Sequence, residues 1–244
     1  MFDVAAHAYA HRGLWGGDVP ENSLRAFEAA RLAGVGVELD VRITGDGEVV
    51  VFHDATLERL CHDPRRIDQI PLEDIRTRNL PDRSRIPVLA EAFRAVGEHP
   101  VLVEIKIDWD LKKTARDRRA VPFVSGLLQH APPNVAVMSF DEPAVWDLAF
   151  RMPGRPVGQL IEPLAELPAD EARAKAARAL DAGAAYLAPH LSALPHIAAS
   201  FPGVSLVTWT VRTPPDLDLA RLHGAAPIFE TISPALAMGG KATI

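Results

Sequence analysis

His11, Glu38, Asp40, His53 and Glu104 all fall at the ends of short apolar runs in the first half of the chain. Glu38 and Asp40 are two residues apart in Gly36-Val37-Glu38-Leu39-Asp40-Val41, so on a strand both carboxylates share one face. Val103-Glu104-Ile105-Lys106 repeats that spacing with opposite charges. Three carboxylates gathered inside a fold need a cation, because burying them unpaired is very costly. Arg12 and Lys106 supply part of that charge. A hard divalent ion on Glu38, Asp40 and Glu104 supplies it more fully: Mg²⁺ or Ca²⁺, with Mn²⁺ as a further candidate. Oxygen-only ligation argues against a structural zinc.

An ion beside Arg12 and Lys106 suits a phosphate group. His11 and His53 then fit the roles of general base and acid, since an unperturbed imidazole pKa of about 6.5 suits proton transfer near neutrality. Trp209, near a late strand end in Val207-Thr208-Trp209-Thr210, is a candidate substrate contact. Taken singly, each residue has an ordinary structural reading as a surface ion pair, core aromatic or hydrogen-bonded histidine. Their joint placement at strand ends carries the inference.

The elements that must position these residues alternate along the whole chain. Strands are expected at Ala6–His11, Gly36–Val41, Val49–Phe52, Val101–Ile107, Val135–Met138, Val157–Leu160, Ala185–Leu187, Leu206–Thr210 and Pro227–Phe229, several of them continuous Val/Ile runs suited to parallel strands covered on both faces. Helices fill the gaps. One is expected from Ser23 to Leu32, capped by Asn22 or Ser23 and stopped by Gly34; another runs from Ala169 to Ala182. With the Val49 run taken as a hairpin partner of the second strand, eight β/α units remain, the pattern of one (β/α)8 TIM-type barrel. A doubly wound sheet is the runner-up, but no Gly-rich phosphate loop follows the first strand. Residues 55–86 break the alternation and read as a small insertion after the second strand, within a single domain spanning 1–244.

Bulk properties exclude several classes. The chain has 244 residues, a net charge of −6 and basic residues only in scattered pairs, which argues against a nucleic-acid partner. A single cysteine, Cys61, rules out an internal disulfide and a thiolate metal cluster. No cationic leader opens the sequence and no run approaches the ~18 apolar residues of a membrane-spanning helix, so a cytoplasmic protein without stable membrane association is expected. Trp15 and Trp109 are the only candidates for exposed apolar anchors. Oligomeric state is not legible.

The ordered set His11-Arg12-Gly13, Pro20-Glu21-Asn22-Ser23, Glu38-Leu39-Asp40-Val41, Val50-Val51-Phe52-His53-Asp54, Thr56-Leu57-Glu58-Arg59, Ile86-Pro87-Val88-Leu89, Glu104-Ile105-Lys106, Ser139-Phe140-Asp141 and Trp209-Thr210-Val211 resembles the glycerophosphodiester phosphodiesterase family across nearly the whole chain. The resemblance implies a TIM-type barrel, metal ligation by Glu38, Asp40 and Glu104, His11 and His53 as the acid–base pair, and Arg12 and Lys106 on the phosphate. It implies hydrolysis of a small-molecule glycerophosphodiester to glycerol 3-phosphate and an alcohol. Alternatives are a related phosphodiesterase that forms a cyclic phosphate, and a barrel that binds a phosphodiester without turnover. Two departures fall near the mouth. Many members end the last strand in Ile-Thr-Asp-x-Pro, where this chain has Phe229-Glu230-Thr231-Ile232-Ser233-Pro234; and many carry asparagine after Trp-Thr-Val, where it has Arg212. Leu60-Cys61-His62 also replaces a Thr-rich stretch, and His62 and His190 are further mouth candidates.

Overall fold

The computed structural model describes residues 2–239. Eight parallel strands close into a ring: β1 (Tyr9–His11), β2 (Gly36–Ile43), β4 (Val101–Ile105), β5 (Val135–Ser139), β6 (Val157–Ile161), β7 (Tyr186–Pro189), β8 (Ser205–Val211) and β9 (Ala225–Phe229). Closure comes from β1, which pairs with both β2 and β9. The remaining strand, β3 (Val49–Val51), lies outside the ring, antiparallel to the far end of β2. Longer helices follow the strands: α1 (Leu24–Leu32), α4 (Leu89–Val96), α5 (Ala120–Leu128), α6 (Glu142–Arg151), α7 (Ala169–Asp181), α8 (Leu194–Ser200) and α9 (Pro214–Leu222). This is the (β/α)8 barrel that the alternation predicts.

Alternation along the strands builds two cores. Val37, Leu39 and Val41 of β2, with Val103 and Ile105 of β4, face outward onto the helices, where they pack with Phe27, Leu89 and Val124. Leu102, Met138, Leu160, Tyr186 and Ile228 fill the interior. Gly158 is required there, since a Cβ would come within 2.2 Å of the Tyr186 ring. The expected strand from Ala6 begins only at Tyr9, because Val4–Ala6 forms a 3-10 turn capped by Asp3. Val4 joins the interior cluster, and its carbonyl accepts a bond from the Tyr9 hydroxyl at 2.9 Å.

Helix α1 starts at Ser23, whose Oγ accepts from the Ala26 N–H at 3.2 Å, and stops before Gly34 at φ +76°. The 55–86 segment carries α2 (Glu58–Cys61), a 3-10 turn (Ile67–Gln69) and α3 (Leu72–Ile75). Leu57, Ile67, Ile75, Leu80 and Ile86 make a separate apolar cluster there with Val50 and Phe52. No helix among the described residues is long and apolar enough to cross a membrane. Exposed aromatics are more numerous than Trp15 and Trp109: Phe123 on α5 and Trp146 and Phe150 on α6 also face outward. The apolar residues of α6 occupy more than one helix face, and only packing decides which face is covered.

Candidate active site

Strand register brings the site together. Parallel pairing sets His11 beside Glu38 and Asp40 beside Glu104. Glu38, Asp40 and Glu104 are all buried, and each offers a carboxylate oxygen within 4.8 Å of the others. Lys106 Nζ lies 2.6 Å from Glu104 Oε1 and 2.9 Å from Asp40 Oδ1. Arg12 Nε is 3.2 Å from Asp40 Oδ2, and the Arg12 backbone N–H donates to Glu38 Oε2 at 3.2 Å. Yet Glu38 Oε1 is buried and makes no hydrogen bond. An orphaned carboxyl oxygen at such depth costs about 1–3 kcal/mol or more, so this donor set fits a hard divalent ion.

The electrostatics agree with that fit. Burial, reinforced by Asp40 and Glu104, holds Glu38 well above the usual carboxylate range. Burial would raise Asp40 too, but Lys106 and Arg12 outweigh it and hold Asp40 below that range. Lys106 itself rises despite burial, because Asp40 and Glu104 flank it. Burial lowers His53, and the nearby Lys106 and Arg12 charges add to the effect.

The His-Arg-Gly segment has a steric reason for its form. Arg12 and Asn22 adopt left-handed backbone at φ +58° and +54°, and the Asn22 N–H donates to the Arg12 carbonyl at 2.9 Å. Such strain in non-glycine residues is kept where surroundings over-determine it, commonly at functional sites. Gly13 follows at φ +84°, where a Cβ would meet Ala26 at 2.7 Å. Asn22 then reaches inward, its Nδ2 donating to Asp40 Oδ2 at 2.9 Å.

His11 and His53 line one cavity of about 580 Å³ together with Glu38, Glu104, Lys106 and Trp209. Each imidazole holds a carboxylate on Nδ1: Glu230 Oε2 at 2.8 Å from His11 and Asp54 Oδ1 at 2.7 Å from His53. Trp209 donates Nε1–H to the Ala188 carbonyl at 2.9 Å and stands edge-on to Phe140 and His190, with centroids 5.4 and 4.9 Å away. His190 therefore sits behind Trp209, with its Nδ1 2.9 Å from Ser192 Oγ. His62 is exposed, ends α2 at φ +55° and does not line the cavity.

Besides Asp54 and Glu230, two further positioning groups escaped the sequence reading as site residues. Glu21 accepts from Arg12 Nη1 at 2.9 Å and from Arg59 Nη2 at 2.7 Å, while Arg59 Nε donates to Asp54 at 2.6 Å. Both lie in stretches quoted for the family resemblance, which was the available signal. Arg59, on α2, thus ties the insertion to His53.

Fold and site together define a TIM-type barrel with its polar residues at the C-terminal ends of the strands, where barrels of this class carry their active sites. Residues 11–230 match the Glycerophosphoryl diester phosphodiesterase family, and the chain belongs to that family. It is 38% identical over 106 residues to the glycerophosphodiester phosphodiesterase of Caldanaerobacter subterraneus subsp. tengcongensis, covering 40% of this chain and 43% of that protein. It is 36% identical over 107 residues to glycerophosphodiester phosphodiesterase 1 of Mus musculus, covering 39% of this chain and 32% of that one. The matched stretches thus span less than half the length of either relative. Among solved structures, a glycerophosphodiester phosphodiesterase from Thermotoga maritima superposes with a TM-score of 0.72 at 25% identity over 91% of this chain and 93% of that one. A phosphodiesterase from Oleispira antarctica, solved with its product sn-glycerol-3-phosphate, superposes at 0.78 with 22% identity over 94% of each chain.

Proposed function

We propose that this protein is a metal-dependent phosphoric diester hydrolase that cleaves glycerophosphodiesters to glycerol 3-phosphate and an alcohol. The observation carrying this reading is that both imidazoles border a single cavity with Glu38 and Glu104, and that Asp40 offers a carboxylate oxygen within 4.8 Å of those two. Family membership supplies the substrate class.

Glu38, Asp40 and Glu104 would hold the divalent ion, Mg²⁺ or Ca²⁺. When bound, such an ion polarises a phosphoryl oxygen and neutralises charge that develops there. Arg12 and Lys106 bring two fixed positive charges to the same cavity and orient the phosphate. Because a carboxylate only accepts, Asp54 keeps the proton on Nδ1 of His53, leaving Nε2 of that ring for chemistry. One imidazole takes the proton of the attacking hydroxyl, from water or from the neighbouring glycerol carbon, and the other donates to the departing alkoxide. Trp209 forms an apolar wall for the substrate's carbon skeleton. We read residues 1–244 as one barrel domain with the insertion serving the His53 side of its mouth.

The product identifies the reaction. Glycerophosphoethanolamine incubated with the protein and Mg²⁺, followed by ³¹P NMR, is expected to yield glycerol 3-phosphate. A persisting cyclic phosphate would replace this reading with the cyclising alternative, and bound but uncleaved substrate would replace it with the non-catalytic one.

A further inference from the structure

The two departures from the family pattern meet each other. Tyr9 pairs with Ile228 and Ala10 with Phe229, so the next positions, His11 and Glu230, leave the closing pair of strands side by side. Glu230 Oε2 faces His11 Nδ1 at 2.8 Å, and its other oxygen accepts from Arg212 Nε. The backbone beneath is fixed as well. Glu230 N–H donates to the Val211 carbonyl at 3.0 Å. The Arg212 and Thr213 N–H groups donate to Asp216 Oδ2 at 3.1 and 2.9 Å, inside the capping box that starts α9. On the far edge of the ring, His11 Nε2 lies 3.9 Å from Glu38 Oε2 and so points to the acidic trio.

The arrangement repeats that around His53, where Asp54 takes Nδ1 and Arg59 holds Asp54. Each imidazole is thus backed by a carboxylate and each carboxylate by an arginine. Around His53 all three members lie within one short stretch; around His11 the first and last strands must close before the set exists.

We propose that Glu230, oriented by Arg212, is the positioning residue of His11: it fixes the ring and keeps its proton on Nδ1, so that Nε2 faces the reacting phosphate. This rests on the acid–base role proposed above for His11. Outer carboxylates on functional imidazoles fix tautomer and orientation, and their loss costs from about 10-fold to about 10⁴-fold, most where the tautomer inverts.

Glu230→Gln gives a sharp test because Arg212 can only donate. It claims the single amide oxygen and turns the amide NH₂ toward His11 Nδ1, which inverts the tautomer without changing shape. Ring ¹⁵N shifts of His11, assigned with a His11→Gln variant, are expected to report Nδ1–H in the parent and Nε2–H in Glu230→Gln. The kcat for glycerophosphoethanolamine should fall at least about 100-fold, with KM changed less than about threefold. Adding Arg212→Met frees the amide to turn its oxygen to Nδ1, and the Nδ1–H signature should return. An unchanged tautomer in Glu230→Gln, or a loss confined to KM, would overturn the inference. If the parent protein cleaves no glycerophosphodiester, the proposed function fails, while the ¹⁵N shifts still decide whether Glu230 sets the state of His11.

Discussion

Lys106 Nζ stands 2.6 Å from Glu104 Oε1, inside the group of oxygens that would hold a divalent ion. The ammonium and the ion therefore compete for the same charge, although both are wanted by a phosphate.

Replacing the lysine separates the two effects. Lys106→Met removes a repelling positive charge and is expected to tighten Mg²⁺ binding by about tenfold. The same change should lower kcat/KM on a glycerophosphodiester by about 100-fold, through loss of a charge-assisted contact to phosphate. Calorimetric titration with Mg²⁺ and steady-state kinetics read the two numbers. Weaker metal binding by the variant would mean that Lys106 organises the carboxylates rather than competing for them.

Metal binding should release a proton. Burial, with Asp40 and Glu104 beside it, raises Glu38, so below its raised value the metal-free site is expected to hold a proton that an ion must displace. Affinity then falls as pH drops below the raised Glu38 value and grows as pH rises through it. The linked stability has the matching sign: a carboxyl raised in the folded state makes the metal-free protein lose stability with rising pH, and added ion restores it. Titrations at one pH in Tris and in Hepes measure the proton count directly. Equal heats after correction for ion binding by the buffers would mean no proton is displaced.

Arg59 joins the insertion to the site through Asp54 and Glu21. Arg59→Met is expected to cut kcat about tenfold by freeing the Asp54 that orients His53. Because the guanidinium is partly exposed, unfolding free energy should change by less than about 1 kcal/mol. A large fall in thermal stability with unchanged kcat would assign Arg59 to folding instead.

Cys61 reports on the insertion. Burial, with Asp63 adding to it, pushes the thiol up to about 11. Iodoacetamide at pH 8 should therefore label it about 100-fold more slowly than a free thiol, whose pKa is near 8.5, and the rate should climb as pH approaches 11. Urea that opens the insertion should remove the protection. Rapid labelling of folded protein at pH 8 would show that the 55–86 segment does not stay packed.

Local patterns predict much of this. The alternation in Val37-Glu38-Leu39-Asp40-Val41 separates outward core residues from inward carboxylates, and the structure keeps that division. His11 and His53 stand where apolar runs end, so short-range reading reaches them. The Glu230–His11 contact spans 219 positions and exists only because β1 closes on β9, a fact of ring closure invisible to local periodicity. Glu21 was equally opaque as a site residue: its partners Arg12 and Arg59 lie 9 and 38 positions away on separate segments. The outward Trp146 and Phe150 show the opposite failure, where apolar residues on a helix suggest more burial than packing provides.

Metal-dependent release of glycerol 3-phosphate tests the account most directly. Glycerophosphoethanolamine and glycerophosphocholine would each be offered to the protein with EDTA, with Mg²⁺ and with Ca²⁺, alongside His53→Ala. Release that requires an ion, and that His53→Ala reduces at least about 100-fold, is the predicted result. Release that persists in EDTA, or that His53→Ala leaves intact, would contradict the assignment of this cavity.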